Sequence, residues 1–166
     1  MSGIERLLQH ASVTRLSTST RFTAPVMQTI EAAIRALEAR HPGEIRFVVE
    51  TRLSLQQLLA RVSPRARALD LFGLLRVWDT EHNTGVLIYV LLAERTVEIV
   101  ADRGLARHIS LSQWDQVCRQ METEYRAGHY AEGSVAGIER IGVLLERHFP
   151  YRGPAGSELP DQPLLL

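Results

Sequence analysis

The sequence predicts an α/β domain of three layers, helix on sheet on helix, built around a small mixed sheet of Rossmann-like type. Three observations lead there. Residues Glu44 to about Leu53 alternate, with Ile45, Phe47 and Val49 on one face, the pattern of a strand. Val86 to Leu92 is apolar on both faces, as a strand covered on both sides should be. Thr96 to Ala101 alternates again and returns antiparallel after the Ala93-Glu94-Arg95 turn. Helical patterns separate and flank these strands. The β-α-β unit should therefore be a right-handed parallel crossover, with the hairpin adding an antiparallel strand.

The elements follow in order, α-α-β-α-β-β-α-α. Ile4, Leu7, Leu8 and Ala11 mark a short amphipathic helix to about Leu16, which packs on the domain or meets a membrane or partner. Ser17 to Thr20 reads as a Ser/Thr linker. Thr23 can cap the next helix, with Pro25 tolerated in its first turn and Ile30, Ile34 and Leu37 at helical spacing. His41-Pro42-Gly43 stops it. Ser54 and Gln57 form a capping-box pattern. Ser63-Pro64 restarts a helix that runs to about Val77. A helix from near Ser110 carries Trp114, Val117, Cys118, Met121 and Tyr125 in a stripe, and Gly128 ends it. The last helix spans about Tyr130 to His148, with Gly133 and Gly137 four apart, a spacing that suits close packing inside the domain. A Pro/Gly-bearing tail ends in Leu164-Leu165-Leu166. The organisation is an N-terminal segment over 1–21, a domain over 22–150 and a tail over 151–166.

Composition excludes several classes. Net charge is zero, and nucleic acid or an anionic membrane calls for a basic patch. All 19 basic residues are Arg, so a phosphate loop ending in Gly-Lys is impossible. No Gly-x-Gly-x-x-Gly, Gly-x-Ser-x-Gly or His-Glu-x-x-His occurs, and no nucleotide or redox cofactor is expected. Cys118 stands alone on an apolar stripe and reads as a buried, inert thiol. The longest apolar run, Gly85 to Ala93, falls far short of the roughly 20 residues of a membrane span. The N-terminus lacks a signal-type apolar core. The chain thus reads as cytoplasmic, with peripheral attachment at the inner membrane as the further expectation.

The candidate site residues lie between Val77 and Leu105. Asp79, Glu81 and Asn83 alternate before the central strand, and alternating oxygen side chains can converge on a hard cation. A calcium loop would require Gly and Glu where Thr84 and Val90 stand. The other reading is a surface turn in which Asp and Asn bond their own backbone and Gly85 relieves strain. Asp102 follows the antiparallel strand, whose end lies near the start of the central one, so the two loops should share a sheet edge. Asp79, Glu81, Asn83 and Asp102 are accordingly the candidate metal ligands. Trp78, His82, Arg103 and Gly104 are the candidate contact residues of the same loops.

GEIRFVV (Gly43 to Val49), NTGVLIYVLLAERTVEIVADRGL (Asn83 to Leu105) and YRAGHYAEGSVAGIERIG (Tyr125 to Gly142) resemble the TPM domain. That domain occurs in bacterial envelope proteins, in photosystem II repair factors and in an animal acetylcholine-receptor auxiliary protein. HFP followed by ELPD (His148 to Pro150, Glu158 to Asp161) is similar to a compact bacterial branch. The resemblance implies a helix-sheet-helix fold. It also implies calcium at loops on one sheet edge in some members, an acid phosphatase activity credited to a plant relative, and assembly or turnover of membrane complexes in others. A LemA-family membrane protein is the implied partner. The usual Gly-Tyr-Gly-Leu-Glu exit loop here reads Asp102-Arg103-Gly104-Leu105-Ala106, and the next acidic position falls near Ser110 and Leu111. Two functions are expected from this: a non-enzymatic domain that binds a protein, or a calcium-dependent hydrolase of phosphate esters.

Overall fold

The computed structural model describes residues 3–149 and 158–166. The first helices are α1 (Gly3–Ser12), α2 (Arg15–Arg21) and α3 (Ala24–Glu38), followed by β1 (Glu44–Glu50). Next come α4 (Leu55–Leu59), α5 (Pro64–Leu74) and β2 (Gly85–Leu91). A 3₁₀ turn over Leu92–Glu94 leads to β3 (Thr96–Ala101), then α6 (Arg103–Ala106), α7 (Leu111–Arg126), α8 (Tyr130–His148) and β4 (Leu164–Leu165). The expected tail stretch 150–157 lies outside the described residues.

The caps read from the sequence are formed. Thr23 accepts from the Val26 N–H at the start of α3, Ser54 and Gln57 close a capping box on α4, and Ser63 caps α5. Gly128 follows α7 with φ of +89°, the left-handed conformation that glycine reaches without a Cβ penalty. Residues 17–20, expected as a linker, lie within α2, and the first helix ends at Ser12 rather than near Leu16. A reciprocal bond between Thr14 and Ser17 nucleates this helix, and Thr18 anchors it through its hydroxyl to Thr51 at 3.0 Å.

The four-stranded sheet has the order β3-β2-β1-β4. β1 and β2 are parallel, β2 and β3 antiparallel. β4 pairs parallel to β1 and was not expected from the tail sequence. Every residue of β1 and β2 is buried. One face, with Ile45, Phe47, Val49, Val86, Ile88 and Val90, packs under α3, α7 and α8. The other, with Val48, Leu87, Tyr89 and Leu91, packs against Ala68 and Leu71 of α5, with Leu159 and Leu164 at its margin. The Gly133 and Gly137 spacing serves helix contact. A Cβ at Gly137 would lie 2.4 Å from Met121 Sδ, and one at Gly133 would lie 2.7 Å from Glu124 Cβ. Trp114 joins the core, whereas Trp78 stays half exposed. Cys118 is buried, and desolvation pushes its thiol up to about 12, as an inert thiol requires. No helix among the described residues is long and apolar enough to cross a membrane.

One polar network crosses the α5 face. Arg67 grips Glu50 with Nε and Nη2, both at 2.9 Å, and the Tyr89 hydroxyl donates to the same carboxylate at 2.6 Å. Burial and that bond raise the Tyr89 pKa.

Candidate functional site

The register places the two candidate loops side by side. Val86 pairs with Ala101, and the Asp102 N–H donates to the Gly85 carbonyl at 2.9 Å. The loop after β3 therefore lies against the loop before β2, on the edge where β1 and β2 begin. Asp102 caps α6: its Oδ1 accepts from the Arg103 N–H at 2.6 Å. Arg103 Nε donates to Asn83 Oδ1 at 3.0 Å. Gly104 is required by proximity, since a Cβ there would stand 2.4 Å from the Asn83 carbonyl oxygen and 3.0 Å from that of His82.

The structure brings together Asn83, Asp102, Arg103, Gly104 and the His82 backbone. It does not add the carboxylates of Asp79 and Glu81, which project into solvent. Among the described residues, no three His, Cys, Asp or Glu side chains gather to hold a metal ion. Asp102 is the unusual member: it is 7% exposed, and its Oδ2 is buried without a hydrogen-bond partner. Gly85 does not relieve turn strain, because the left-handed residue of this loop is Asn83, with φ of +54°. Gly85 instead lets β2 pass against the backbone of Val77.

Sequence reasoning missed the third component of this edge, the returning tail. The Glu81 N–H donates to Glu158 Oε2 at 2.9 Å. Glu44 Oε2 in turn accepts the N–H groups of Glu158 and Leu159 at 3.0 and 2.9 Å. Arg46 donates to the Pro160 and Gln162 carbonyls. Arg35 pairs with Asp161 at 3.1 Å. The ELPD motif thus acts as a clasp across the start of β1. The available signal was the motif itself, four residues with no helical or strand period.

Beneath the clasp lies Glu38, 7% exposed, which accepts the Ile45 N–H at 2.9 Å. Burial above all, with the charges of Glu44 and Asp161 nearby, pushes its carboxyl up to about 9, so at neutral pH it holds a proton. Burial also raises Glu44. The folded state binds this Glu38 proton and the unfolded chain releases it near the ordinary carboxylate pKa. The stabilisation is therefore complete in mild acid and declines as pH rises to about 9. Thermal unfolding should show the midpoint falling across that window, and Glu38→Gln should flatten the decline. A wild-type midpoint independent of pH up to 9 would contradict the assignment.

Comparison with known proteins agrees with this fold. The family model described as TPM domain matches residues 18–144. No curated protein matches the chain. The solution structure of BA42 from the psychrophilic bacterium Bizionia argentinensis is similar at 30% identity and a TM-score of 0.76, over 87% of this chain and 94% of that one. The N-terminal domain of a P. gingivalis protein shares the fold at 20% identity and a TM-score of 0.61, over 86% of this chain and 96% of that one. With its sheet order, its paired loops and a family match over most of its length, the chain belongs to the TPM domain family.

Proposed function

We propose that this chain is a non-enzymatic TPM-domain protein that binds another protein, a membrane-associated one of the LemA-like kind. The observation that carries this is the inverted seating of α1. Two of its polar residues, Arg6 and His10, face the domain: His10 is its one buried residue, with Nδ1 accepting the Leu53 N–H at 3.1 Å and Nε2 2.9 Å from Glu94. Arg6 bonds Glu94 and the Val62 carbonyl. The apolar face is left outward, with Ile4 72% and Leu8 66% exposed, while Leu55 and Leu59 of the contacting α4 are also exposed. Leu7, Ala11, Leu55 and Leu58 line the groove between them. Apolar surface concentrated on two adjoining helices is the signature of a contact face. Of the two contact elements expected from the sequence, the tail is the weaker, because Leu164 and Leu166 pack against the core.

Capture by an immobilised LemA-family protein tests the proposal. Leu8→Asp with Leu59→Asp should lower capture about tenfold or more, as charges placed in a contact core do. Trp78→Ala probes the opposite rim, where Trp78, His82 and Arg103 are exposed. Undiminished capture by the double variant would remove the α1–α4 face from the function.

One observation favours a second reading, calcium binding with hydrolysis of phosphate esters. The buried, unpartnered Asp102 Oδ2 suits a cation anchor. Asn83 would have to release the Arg103 guanidinium to join it, and Asp79 and Glu81 would have to turn inward. A bound calcium would supply Lewis-acid activation of water. Backbone amide NMR with calcium, and magnesium as control, decides the matter: saturable calcium shifts confined to residues 79–85 and 102–105 support this reading, and none at millimolar calcium rejects it.

A further inference from the structure

A second concavity, of about 290 Å³, lies at the opposite end of β2 from the Asp102 edge. It opens beside the carboxyl end of that strand, where ligands of parallel α/β sheets characteristically bind. Val90 and Leu92 form part of its wall. The other wall is aromatic. Tyr125 and Tyr130 stack with centroids 5.4 Å apart and planes 23° apart, and Phe22 sets its ring edgewise against both, at 5.8 and 5.3 Å. The Tyr125 hydroxyl is tied to Ser134 at 2.7 Å, so this wall is fixed before any ligand arrives.

The charge around the cavity departs from that of the chain. The whole sequence is neutral, yet three arginines, Arg21, Arg95 and Arg126, line this one space with a single acidic residue, Glu122. Glu122 is already committed. Its Oε1 accepts the Val97 N–H at 3.0 Å and its Oε2 accepts from Arg126 at 3.1 Å. Arg126 is thereby neutralised. Arg21 and Arg95 form no ion pair among the described residues. Two uncompensated guanidinium groups beside an apolar, aromatic wall are complementary to a molecule with the opposite division: an anionic head on a flat apolar body. Guanidinium groups bind carboxylate and phosphate heads through paired, charge-assisted hydrogen bonds. The Tyr130 hydroxyl, which has no partner among the described residues, is a further donor.

We propose that this cavity binds a small organic anion, with its head held by Arg21 and Arg95 and its body against Tyr125 and Tyr130. The site is separate from the α1–α4 face and from the Asp102 edge, so it stands or falls independently of both readings given above.

The test uses the full chain and backbone amide NMR with three probes, benzoate, phenylphosphonate and the neutral benzamide. The expected result is saturable shifts at Arg21, Arg95, Gly128 and Tyr130 with at least one anion, and none with benzamide. The anion that saturates at the lower concentration identifies the head. Arg21→Gln with Arg95→Gln should weaken binding about tenfold or more, the loss expected when charged hydrogen bonds are removed. Arg95→Gln alone, at an exposed position, repeats the test should the double variant unfold. Shifts that fail to saturate at millimolar anion, that match those of benzamide, or that persist at equal affinity in the variants would overturn the proposal.

Discussion

Gly85→Ala should destabilise the protein by about 3 kcal/mol or more, at the upper end of the cost of overfilling a packed site. A Cβ at residue 85 would stand 1.8 Å from the Val77 carbonyl oxygen and 2.9 Å from its carbonyl carbon. Both atoms are backbone, so no rotamer change relieves the clash. Val77 is itself fully buried and cannot retreat toward solvent. The chain must instead lift the α5–β2 connection or shift β2. Gly85 is paired with Glu44 in the parallel ladder and bonded to the Asp102 N–H, so a shift also disturbs the candidate edge. Urea unfolding of the two proteins measures the difference. Gly73→Ala is the control: nothing lies within 4 Å of its added Cβ and it sits in α5, so alanine there should stabilise by roughly 0.5–1 kcal/mol. A Gly85→Ala loss below about 1 kcal/mol would show that the Val77 contact relaxes easily.

The second large effect is expected at Glu50. Its carboxylate, on β1, accepts both nitrogens of Arg67 from α5 and the hydroxyl of Tyr89 from β2. Glu50 is 6% exposed and the Tyr89 side chain is inaccessible. Glu50→Ala would leave a guanidinium and a phenol without their acceptor, a defect that typically costs about 3–5 kcal/mol. Tyr89→Phe removes one donor and leaves the ion pair whole, so its cost should be nearer 1 kcal/mol. Denaturant melts of the two variants check the ordering. Equal losses would mean that the phenol, rather than the ion pair, dominates the network.

These residues show where sequence reasoning reaches. The alternation of Ile45, Phe47 and Val49, the fully apolar β2 and the capping residues Thr23, Ser54 and Ser63 are local signals, and the elements they specify are present. The meeting of the Asn83 and Asp102 loops was legible too, because hairpin geometry alone brings the end of β3 to the start of β2. Other features depend on partners distant in sequence. Leu164 and Leu165 carry no strand signal, and only the free edge of β1 makes them one. α2 is Ser/Thr-rich and reads as linker until the Thr14–Ser17 bonds are seen. The apolar stripe of α1 gives no hint that Arg6 and His10 turn the helix the other way, because their acceptor, Glu94, lies more than 80 residues along the chain. Gly85 reads as a turn glycine, and its contact with Val77 appears only in three dimensions.

The late strand β4 has a kinetic consequence. The Thr51 N–H donates to the Leu166 carbonyl and the Leu166 N–H to that of Val49, closing a separation of 115 residues. β1, β2 and β3 lie close in sequence and can assemble while that loop is still open. Contacts of such high sequence separation form slowly, because their loop-closure entropy is lost before they stabilise anything. β1 therefore spends part of every folding event with one bare edge, the state in which a strand pairs with whatever extended chain is nearby. In the folded state the clasp of Glu158, Arg46 and Asp161 holds the tail beside β1, next to the residues that cover this edge.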